Sequence, residues 1–445
     1  MEDYHDGVKR GVLLTLYAVG TIRMEGIKTM KVIGRPNNNQ QNTVSDSAPE
    51  VFDAVSSLWI QEKNRLQSSA EMEDFPYSAV IKLTDGCNLI CGYCYISGGD
   101  YAQKMSIDTL MEVVSQMSCY AEPELVLYLH GGEPLLCFST ISEMVARLQS
   151  QQSQKPIRLR LQTNGTLITA EHAQFFRREK IAVGISLDGY EELHNVWRHY
   201  RNGKGSFADV WRGISILKDH NVDFGVLVVV TKANIKYLNE ILDFFKDNSI
   251  YSVCMNPLIP RGRGGGIERN AQVTSEEYFN AMKAVVDWLI NYNRTADKEN
   301  TMKERNIKWL VRHLTTLKRD YMCFRSPCGA GTSTLSFDIN GDFYVCDDFC
   351  RDARFKIGNI FDGDIRDMVR NSPAVKRVKQ RNVMRIPKCS KCNWKLICCG
   401  GCSGLAFYTY NSLSRESPLC GYFKRMIPYL IELFNEHKVD PSLLT

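Results

Sequence analysis

From Tyr77 onward, short apolar runs alternate with longer stretches whose apolar positions recur at helical spacing. The runs at 80–84, 125–129, 157–161, 181–187, 224–230 and 251–255 read as strands. The stretches at 106–118, 141–149, 170–179, 207–220 and 235–247 read as amphipathic helices. Six strand–helix units in succession imply a parallel sheet with helices on its outer face. They are too few for a complete eight-unit barrel, so the predicted fold class is α/β, a partial (β/α)6 TIM-like barrel. Active-site groups then belong at the carboxyl ends of its strands. A further helix at 275–290 is expected to close the open side, and the charged segment 294–308 reads as a connection.

The chain divides into an N-terminal extension (1–75), the partial barrel (76–300) and a cysteine-rich domain with a C-terminal helix (301–445). In the extension, Lys9-Arg10 and the apolar run 11–20 have the outline of a short signal peptide. Glu2, Asp3 and Asp6 spoil its basic start, and the run is too short to span a bilayer. A short strand pair is the other reading of this run, as is an over-extended start, with Met24 and Met30 as later initiation points. Residues 37–47 are polar and linker-like, and 49–66 has the spacing of an amphipathic helix that packs on the barrel or contacts a partner.

Composition changes this picture in one respect. A net charge of +5 over 445 residues argues for neither a nucleic-acid nor a membrane partner. The 16 cysteines are the anomaly. They fall mostly in two blocks, and a chain this long has no need of disulfide staples. Clustered cysteines then read as metal or redox ligands in a reducing compartment, the cytoplasm.

The first block, Cys87-x3-Cys91-x2-Cys94, follows the first strand directly, at the expected catalytic edge. Iron–sulfur clusters and zinc both take thiolates. Structural zinc is normally closed by four protein ligands, and the nearest later candidates, Cys119 and His130, lie outside the loop. Three thiolates on a cubane leave one iron open to a small molecule; a zinc loop completed from elsewhere is the alternative. After the second strand comes His130-Gly131-Gly132-Glu133-Pro134, where two glycines permit close backbone approach and offer free N–H and C=O groups to an amino acid. The third strand ends in Thr163-Asn164-Gly165-Thr166, and the fourth in Ser186-Leu187-Asp188-Gly189, followed by His194 and Arg198.

The cysteine spacing, with Tyr93 before the last thiol, resembles the radical S-adenosylmethionine (SAM) superfamily. The resemblance implies an open-site [4Fe–4S] cluster on Cys87, Cys91 and Cys94, with Gly131, Gly132 and Glu133 in the motif that holds the methionine amino group. It assigns Ser186 to the ribose and Arg198 to the methionine carboxylate. Tyr93 would lie beside the adenine, with the backbone near Leu258 at the adenine edge. Arg261-Gly262-Arg263-Gly264-Gly265-Gly266 opens no helix in a G-x-G-x-x-G pattern and reads as a solvated basic loop, or a mobile lid.

The second block supplies Cys323, Cys328, Cys346, Cys389, Cys392, Cys398, Cys402 and Cys420. Eight thiolates can ligate two further [4Fe–4S] clusters or two zinc ions. The array resembles the SPASM extension of radical enzymes that modify peptides and proteins, and the likeness spans roughly Tyr77 to Phe423. It implies interleaved ligation, with Cys323, Cys328, Cys346 and Cys402 on one auxiliary cluster. Cys389, Cys392, Cys398 and Cys420 would hold the other. Cys350 or Cys399 could substitute; with Cys119, Cys137 and Cys254 they are the cysteines left over. Nine Lys and Arg residues between Arg366 and Lys391 form a solvated helix face or a docking surface for an acidic leader peptide.

These cofactors imply a 5′-deoxyadenosyl radical that oxidises a ribosomally made peptide or protein. The partners would be that substrate, with or without a leader, and a one-electron donor such as flavodoxin or ferredoxin. A carbon–carbon or thioether crosslink is the leading expectation. Formylglycine formation from Cys or Ser is the alternative, although sulfatase maturases are expected to carry glutamine where this chain has His130. A non-catalytic zinc-binding module is the reading from another class. Asp347, next to Cys346, is the expected catalytic base, with Asp348 able to take its place.

Overall fold

The strand that feeds the first cysteine loop, β1 (Ser78–Lys82), has a partner on each side, and the sheet grows outward from it in both directions. On one side β2 (Leu125–His130), β3 (Ile157–Thr163), β4 (Ala182–Ser186), β5 (Phe224–Val230) and β6 (Ser252–Pro257) follow in parallel register. A two-residue strand, β7 (Lys303–Glu304), ends that side. On the other side β8 (Thr334–Phe337) pairs parallel with β1, and β9 (Asp342–Tyr344) and β10 (Lys356–Asn359) add antiparallel strands. The strand order is β10-β9-β8-β1-β2-β3-β4-β5-β6-β7, an open sheet rather than a closed barrel. All six strands expected from the sequence are present.

This computed structural model describes residues 75–97, 103–150, 155–266, 271–316 and 321–445. The expectations for the run at 11–20, the linker at 37–47 and the helix at 49–66 lie outside these residues. Among the described residues, 75–315 and 321–445 form one compact unit, and its sheet takes strands from both sides of the expected boundary at 300–301.

The two faces of the sheet differ because the strands alternate. Ala79, Ile81, Leu127, Leu129, Ile185, Val226 and Val228 point outward and are fully buried under helices, each side chain contributing about 1.5–3 kcal/mol, less for Ala79. Tyr128 and Arg160, cross-strand partners on the other face, remain exposed. Helix Ile107–Tyr120 is typical of the outer layer: Leu110, Val113, Val114 and Met117 make its buried stripe, and the Ser106 hydroxyl accepts from the Thr109 N–H.

Two expectations need correction. The helix expected to close the open side, Ser275–Asn293, instead packs outside the sheet. Its Tyr278 hydroxyl donates to the Met255 carbonyl of β6 at 2.8 Å, and its Met282, Val285, Val286 and Leu289 join the core. The segment 294–308 is more than a connection, since it contains β7 and starts helix Arg305–Thr316. Charge hid that strand, because its one buried side chain is Glu304, only 1% exposed. The Glu304 carboxylate accepts from the Met255 N–H of β6 (2.9 Å) and the Ile307 N–H of the helix (2.7 Å), tying the edge strand to both.

Glu304→Ala leaves both N–H groups without that acceptor. It is expected to destabilise the protein by about 3 kcal/mol, read as a lowered denaturation midpoint at unchanged m-value.

Candidate active site

The loop after β1 is fixed before any thiol is reached. The Thr84 hydroxyl accepts from the Gly86 N–H (3.0 Å) and donates to the Gln103 carbonyl (2.7 Å). The Gly131-Gly132 turn then packs straight onto this backbone. Gly132 N donates to the Thr84 carbonyl and Glu133 N to the Gly86 carbonyl, both at 2.8 Å. A Cβ on Gly132 would sit 2.0 Å from the Gly86 oxygen, so no side chain fits there. Gly131 N donates to its neighbour His130 Nδ1 at 2.8 Å. The N–H groups expected to be free are therefore spent inside the chain, which leaves the turn its carbonyls for an ammonium group. Glu133 is fully buried, and its carboxylate accepts from Leu135 N, Thr163 Oγ1 and Asn164 N. Asn164 in turn donates to Asn88 (2.9 Å) and lies 3.8 Å from the Cys87 sulfur. The polar turn after β3 is thus a brace for the cysteine loop.

Around the thiols, Leu89, Cys91, Tyr93, Leu258 and Ala271 form a small apolar cluster, with Cys87, Cys94 and Trp197 packed against it. Burial pushes the Cys87 thiol up to about 12 and Cys91 to about 11, and the neighbouring thiols push them the same way. A cationic iron centre reverses that bias, since thiolate is the ligating form. Three thiols converging in one loop fit such a group.

Asp188, given no role in the sequence reading, organises the adjoining wall. Its carboxylate accepts from the Tyr93 hydroxyl, from Arg198 Nε (2.9 Å) and from Val229 N (2.9 Å). Arg198 lies over the Tyr93 ring, 5.2 Å from its centroid. Burial alone would weaken its charge, but Asp188 overrides this and holds the guanidinium protonated. Ser186 Oγ accepts from Gln162 Nε2 at 3.0 Å, and Leu258 N donates to the Val230 carbonyl. His194, wholly buried, accepts the Asp188 N–H at Nδ1 (3.4 Å) and so donates from Nε2 to Ser206 Oγ (3.0 Å). Ser206 passes the bond to the Arg198 carbonyl at 2.9 Å.

The pairing of β8 with β1 carries the second cysteine block to the same edge. Lys82, at the end of β1, is 2% exposed. It donates to the Tyr95 hydroxyl at 3.0 Å and forms an ion pair with Asp347. Tyr95 donates to Asp347 Oδ2 at 2.7 Å, and His130 faces Tyr95 edge-on, 6.2 Å between ring centres. Burial would raise the Asp347 carboxyl, but Lys82, His130 and Tyr95 together hold it well below the usual carboxylate range. Burial pushes Asp348 the other way, and its carboxyl accepts from the Cys402 thiol at 3.0 Å. Burial also lowers His130 to about 4, with the Lys82 charge assisting, so its imidazole is neutral.

The remaining thiols gather in two groups. Cys346 and Cys402 each lie within electrostatic reach of Cys323 and Cys328. Cys389 lies near Cys392 and Cys420, and Cys398 near Cys389 and Cys392. Cys350 faces Ser336 and Asp338, while Cys399 lies beside Cys398 and donates to the Leu396 carbonyl. Arg381 is buried near both, with its guanidinium on the carbonyls of Gly400, Leu413 and Arg415.

The Arg261–Gly266 segment is a correction. Gly262, Gly265 and Gly266 are exposed, but the two arginines are not simply solvated: Arg261 donates to the carbonyls of Asp347, Asp348 and Cys350, and Arg263 to that of Cys91. Sequence reasoning missed Lys82, Tyr95, Asp188, Arg261 and Arg381. Only Lys82 left a signal, a charge on the last residue of a buried strand.

An open sheet whose carboxyl edge carries a three-thiol loop, with eight further thiols brought to the same side, suits an iron–sulfur protein. The radical SAM superfamily model matches residues 81–245, and the iron–sulfur cluster-binding SPASM model matches 328–393. The protein is a radical SAM enzyme with a SPASM domain, its cofactors are [4Fe–4S] clusters and SAM, and the zinc-module reading falls away. It is similar to the cysteine-type anaerobic sulfatase-maturating enzyme of Clostridium perfringens, 28% identical over 82% of this chain and 100% of that protein. The serine-type enzyme of Bacteroides thetaiotaomicron is 26% identical over 77% of this chain and 87% of its own length. Among solved structures, native anSMEcpe with bound AdoMet and the Cp18Cys peptide superposes with a TM-score of 0.71. It is 25% identical, over 81% of this chain and 99% of that one. Among the described residues, no helix is long and apolar enough to cross a membrane.

His194 makes a pH prediction. Burial holds its native pKa at about 3 against an ordinary value of 6.5, so below pH ~6.5 the unfolded chain binds the extra proton. Stability contributed by the neutral imidazole is present at pH 7 and is lost as pH falls. His194→Gln is expected to flatten the slope of unfolding free energy between pH 6.5 and 5, measured by chemical denaturation.

Proposed function

We propose that the protein oxidises a Cys or Ser side chain of a protein substrate to formylglycine. Two relatives that it matches over 100% and 87% of their length are named cysteine-type and serine-type sulfatase-maturating enzymes, and this moves the formylglycine reading ahead of a crosslink. The observation that carries the proposal is the Asp347 carboxylate, kept ionised by Lys82 and Tyr95 and flanked by the first cysteine loop and by Cys346.

In this reading Cys87, Cys91 and Cys94 hold the cluster that binds SAM. Cys323, Cys328, Cys346 and Cys402 hold the first auxiliary cluster, and Cys389, Cys392, Cys398 and Cys420 the second. The bound cofactors supply a reducing electron that cleaves SAM to methionine and a 5′-deoxyadenosyl radical, which removes one hydrogen atom from the substrate Cβ. The carbonyls of Gly131 and Gly132 receive the methionine ammonium, and the remaining N–H groups of Arg198 its carboxylate. Ser186 meets the ribose, and Tyr93 and the Leu258 backbone border the adenine. Glu133 acts at one remove, by bracing the turn. Asp347 would take the proton that the substrate radical must shed on losing its electron, for which an oxidised auxiliary cluster would be the acceptor. From Ser this gives the aldehyde directly; from Cys it gives a thioaldehyde that water converts to the aldehyde and hydrogen sulfide.

The partner is then a protein or peptide carrying that residue, with a flavodoxin or ferredoxin as electron donor. Sixteen free thiols suit a reducing cytoplasm. One observation favours the crosslinking alternative: neutral His130 stands beside Lys82 where a glutamine is expected of sulfatase maturases.

Two outcomes test this with a synthetic Cys-containing sulfatase-type peptide. Asp347→Asn is expected to keep its iron and its abortive 5′-deoxyadenosine formation while aldehyde product falls at least ~100-fold. Undiminished product would place the base elsewhere. Replacing Cys87, Cys91 and Cys94 with Ala abolishes SAM cleavage, whereas Cys389→Ala or Cys420→Ala lowers product more than cleavage. Equal loss of cleavage in folded auxiliary variants that retain the first cluster would sink that division.

A further inference from the structure

The segment after β6 touches both cysteine blocks, and it does so almost entirely through backbone carbonyls. Arg263 N donates to the Cys94 carbonyl and Arg263 Nε to the Cys91 carbonyl, both at 2.9 Å. Gly262 has φ +59°, and a Cβ there would lie 2.5 Å from the Tyr95 oxygen and 2.6 Å from that of Cys94. Gly264 is nearly as tight, since its Cβ would come within 2.9 Å of the Tyr93 oxygen. Only glycine lets the segment lie this close to the first loop. At its other end the Arg261 guanidinium reaches the carbonyls of Asp347 (3.2 Å), Asp348 (2.5 Å) and Cys350. It also lies over the Tyr408 ring, 5.2 Å from the centroid, on helix Ser403–Tyr410, which begins beside Cys402.

A guanidinium suits this task. Its planar fork donates in several fixed directions, and it keeps its charge at any working pH. The carbonyls it gathers belong to the turn that presents Asp347, while the ring beneath it belongs to the helix after Cys402. Arg261 thus grips both chain segments that bring Cys346 and Cys402 to the site, and two residues later Arg263 grips the loop of Cys91 and Cys94.

We propose that Arg261 is a positioning residue, and that the strap from Arg261 to Gly264 sets the spacing between the loop where the radical is made and the turn where the substrate radical loses its proton and electron. Hydrogen abstraction and oxidation happen at one carbon, so Asp347 and the Cys346 side must lie within reach of the place that carbon occupies against the first loop. A misplacement of an ångström at such a site costs up to about 100-fold. Because the strap holds backbone, it keeps this distance whichever rotamers the surrounding side chains adopt. The inference rests on the ligand assignment proposed above.

The test uses reconstituted holoenzyme, with iron and sulfide counted first, and the same Cys-containing sulfatase-type peptide. In Arg261→Gln, SAM cleavage without peptide is expected to stay near the wild-type rate, while product formed per 5′-deoxyadenosine falls about tenfold or more. Dipolar broadening between reduced clusters, read by EPR, should spread over a wider range of distances. Arg261→Lys keeps the charge but not the fork, and it should fall between the two. An unchanged product ratio with unchanged broadening would overturn the proposal. So would loss of auxiliary iron in both variants, which would make Arg261 a folding residue. A wild-type iron count too low for three clusters would instead contradict the ligand assignment and leave the carbonyl contacts of the strap as they are.

Discussion

Lys82 and Asp347 lie far apart in the chain, one in the first strand and the other beside the second cysteine block, and their ion pair is the contact on which the site is built. One partner ends the strand that leads into the first cysteine loop; the other follows the thiol of Cys346. Charges in a low-dielectric interior are costly unless paired and hydrogen-bonded, and the Tyr95 hydroxyl completes this pair by accepting from Lys82 and donating to Asp347. The residues that must cooperate are therefore held by charge as well as by backbone. Removing Lys82 would leave the buried Asp347 without its ion-pair partner, with only the Tyr95 hydroxyl and His130 beside it.

That pair depends on one topological choice. β8 could have ended the chain as part of a separate domain; instead it adds to the free edge of β1 in parallel register. Its carboxyl end then coincides with the carboxyl ends of β1 to β6, where a parallel sheet with outer helices concentrates its loops. On the face away from the helices only part of the sheet stays open: Tyr128 and Arg160 are exposed, whereas Ser78, Val126 and Lys82 on the same face are buried.

Around the thiols, structure and chemistry set opposite demands. Burial pushes several thiols far up, including Cys323 to about 12 and Cys389 to about 11, yet iron ligation needs them deprotonated. The protein's own compensation is scattered: Arg198 and Arg263 act on Cys91, Arg305 on Cys323, Arg381 on Cys389, and Lys388 and Lys424 on Cys420. Ligation by these thiols would then contribute to folding free energy. The arginines divide the labour. Arg198 is turned toward Asp188 and Tyr93, while Arg261 and Arg381 hold loops by their carbonyls.

Sequence by itself determined the strand–helix alternation, the open sheet and the thiol-bearing loops, because periodicity and cysteine spacing are local properties that burial acts on directly. It also put His130-Gly131-Gly132 next to the first loop, since a Gly-Gly turn after the neighbouring strand has few places to go. What it could not determine is which side chains meet. Lys82 reads as a stray charge until β8 brings Asp347 to it, and Asp188 reads as part of a turn until Arg198 and Tyr93 close on it. The basic, glycine-rich run after β6 looks solvated because its acceptors are carbonyls in loops far away in sequence, and carbonyls carry no residue code. Those contacts exist only once the sheet has joined both cysteine blocks at one edge, so tertiary structure alone decided them.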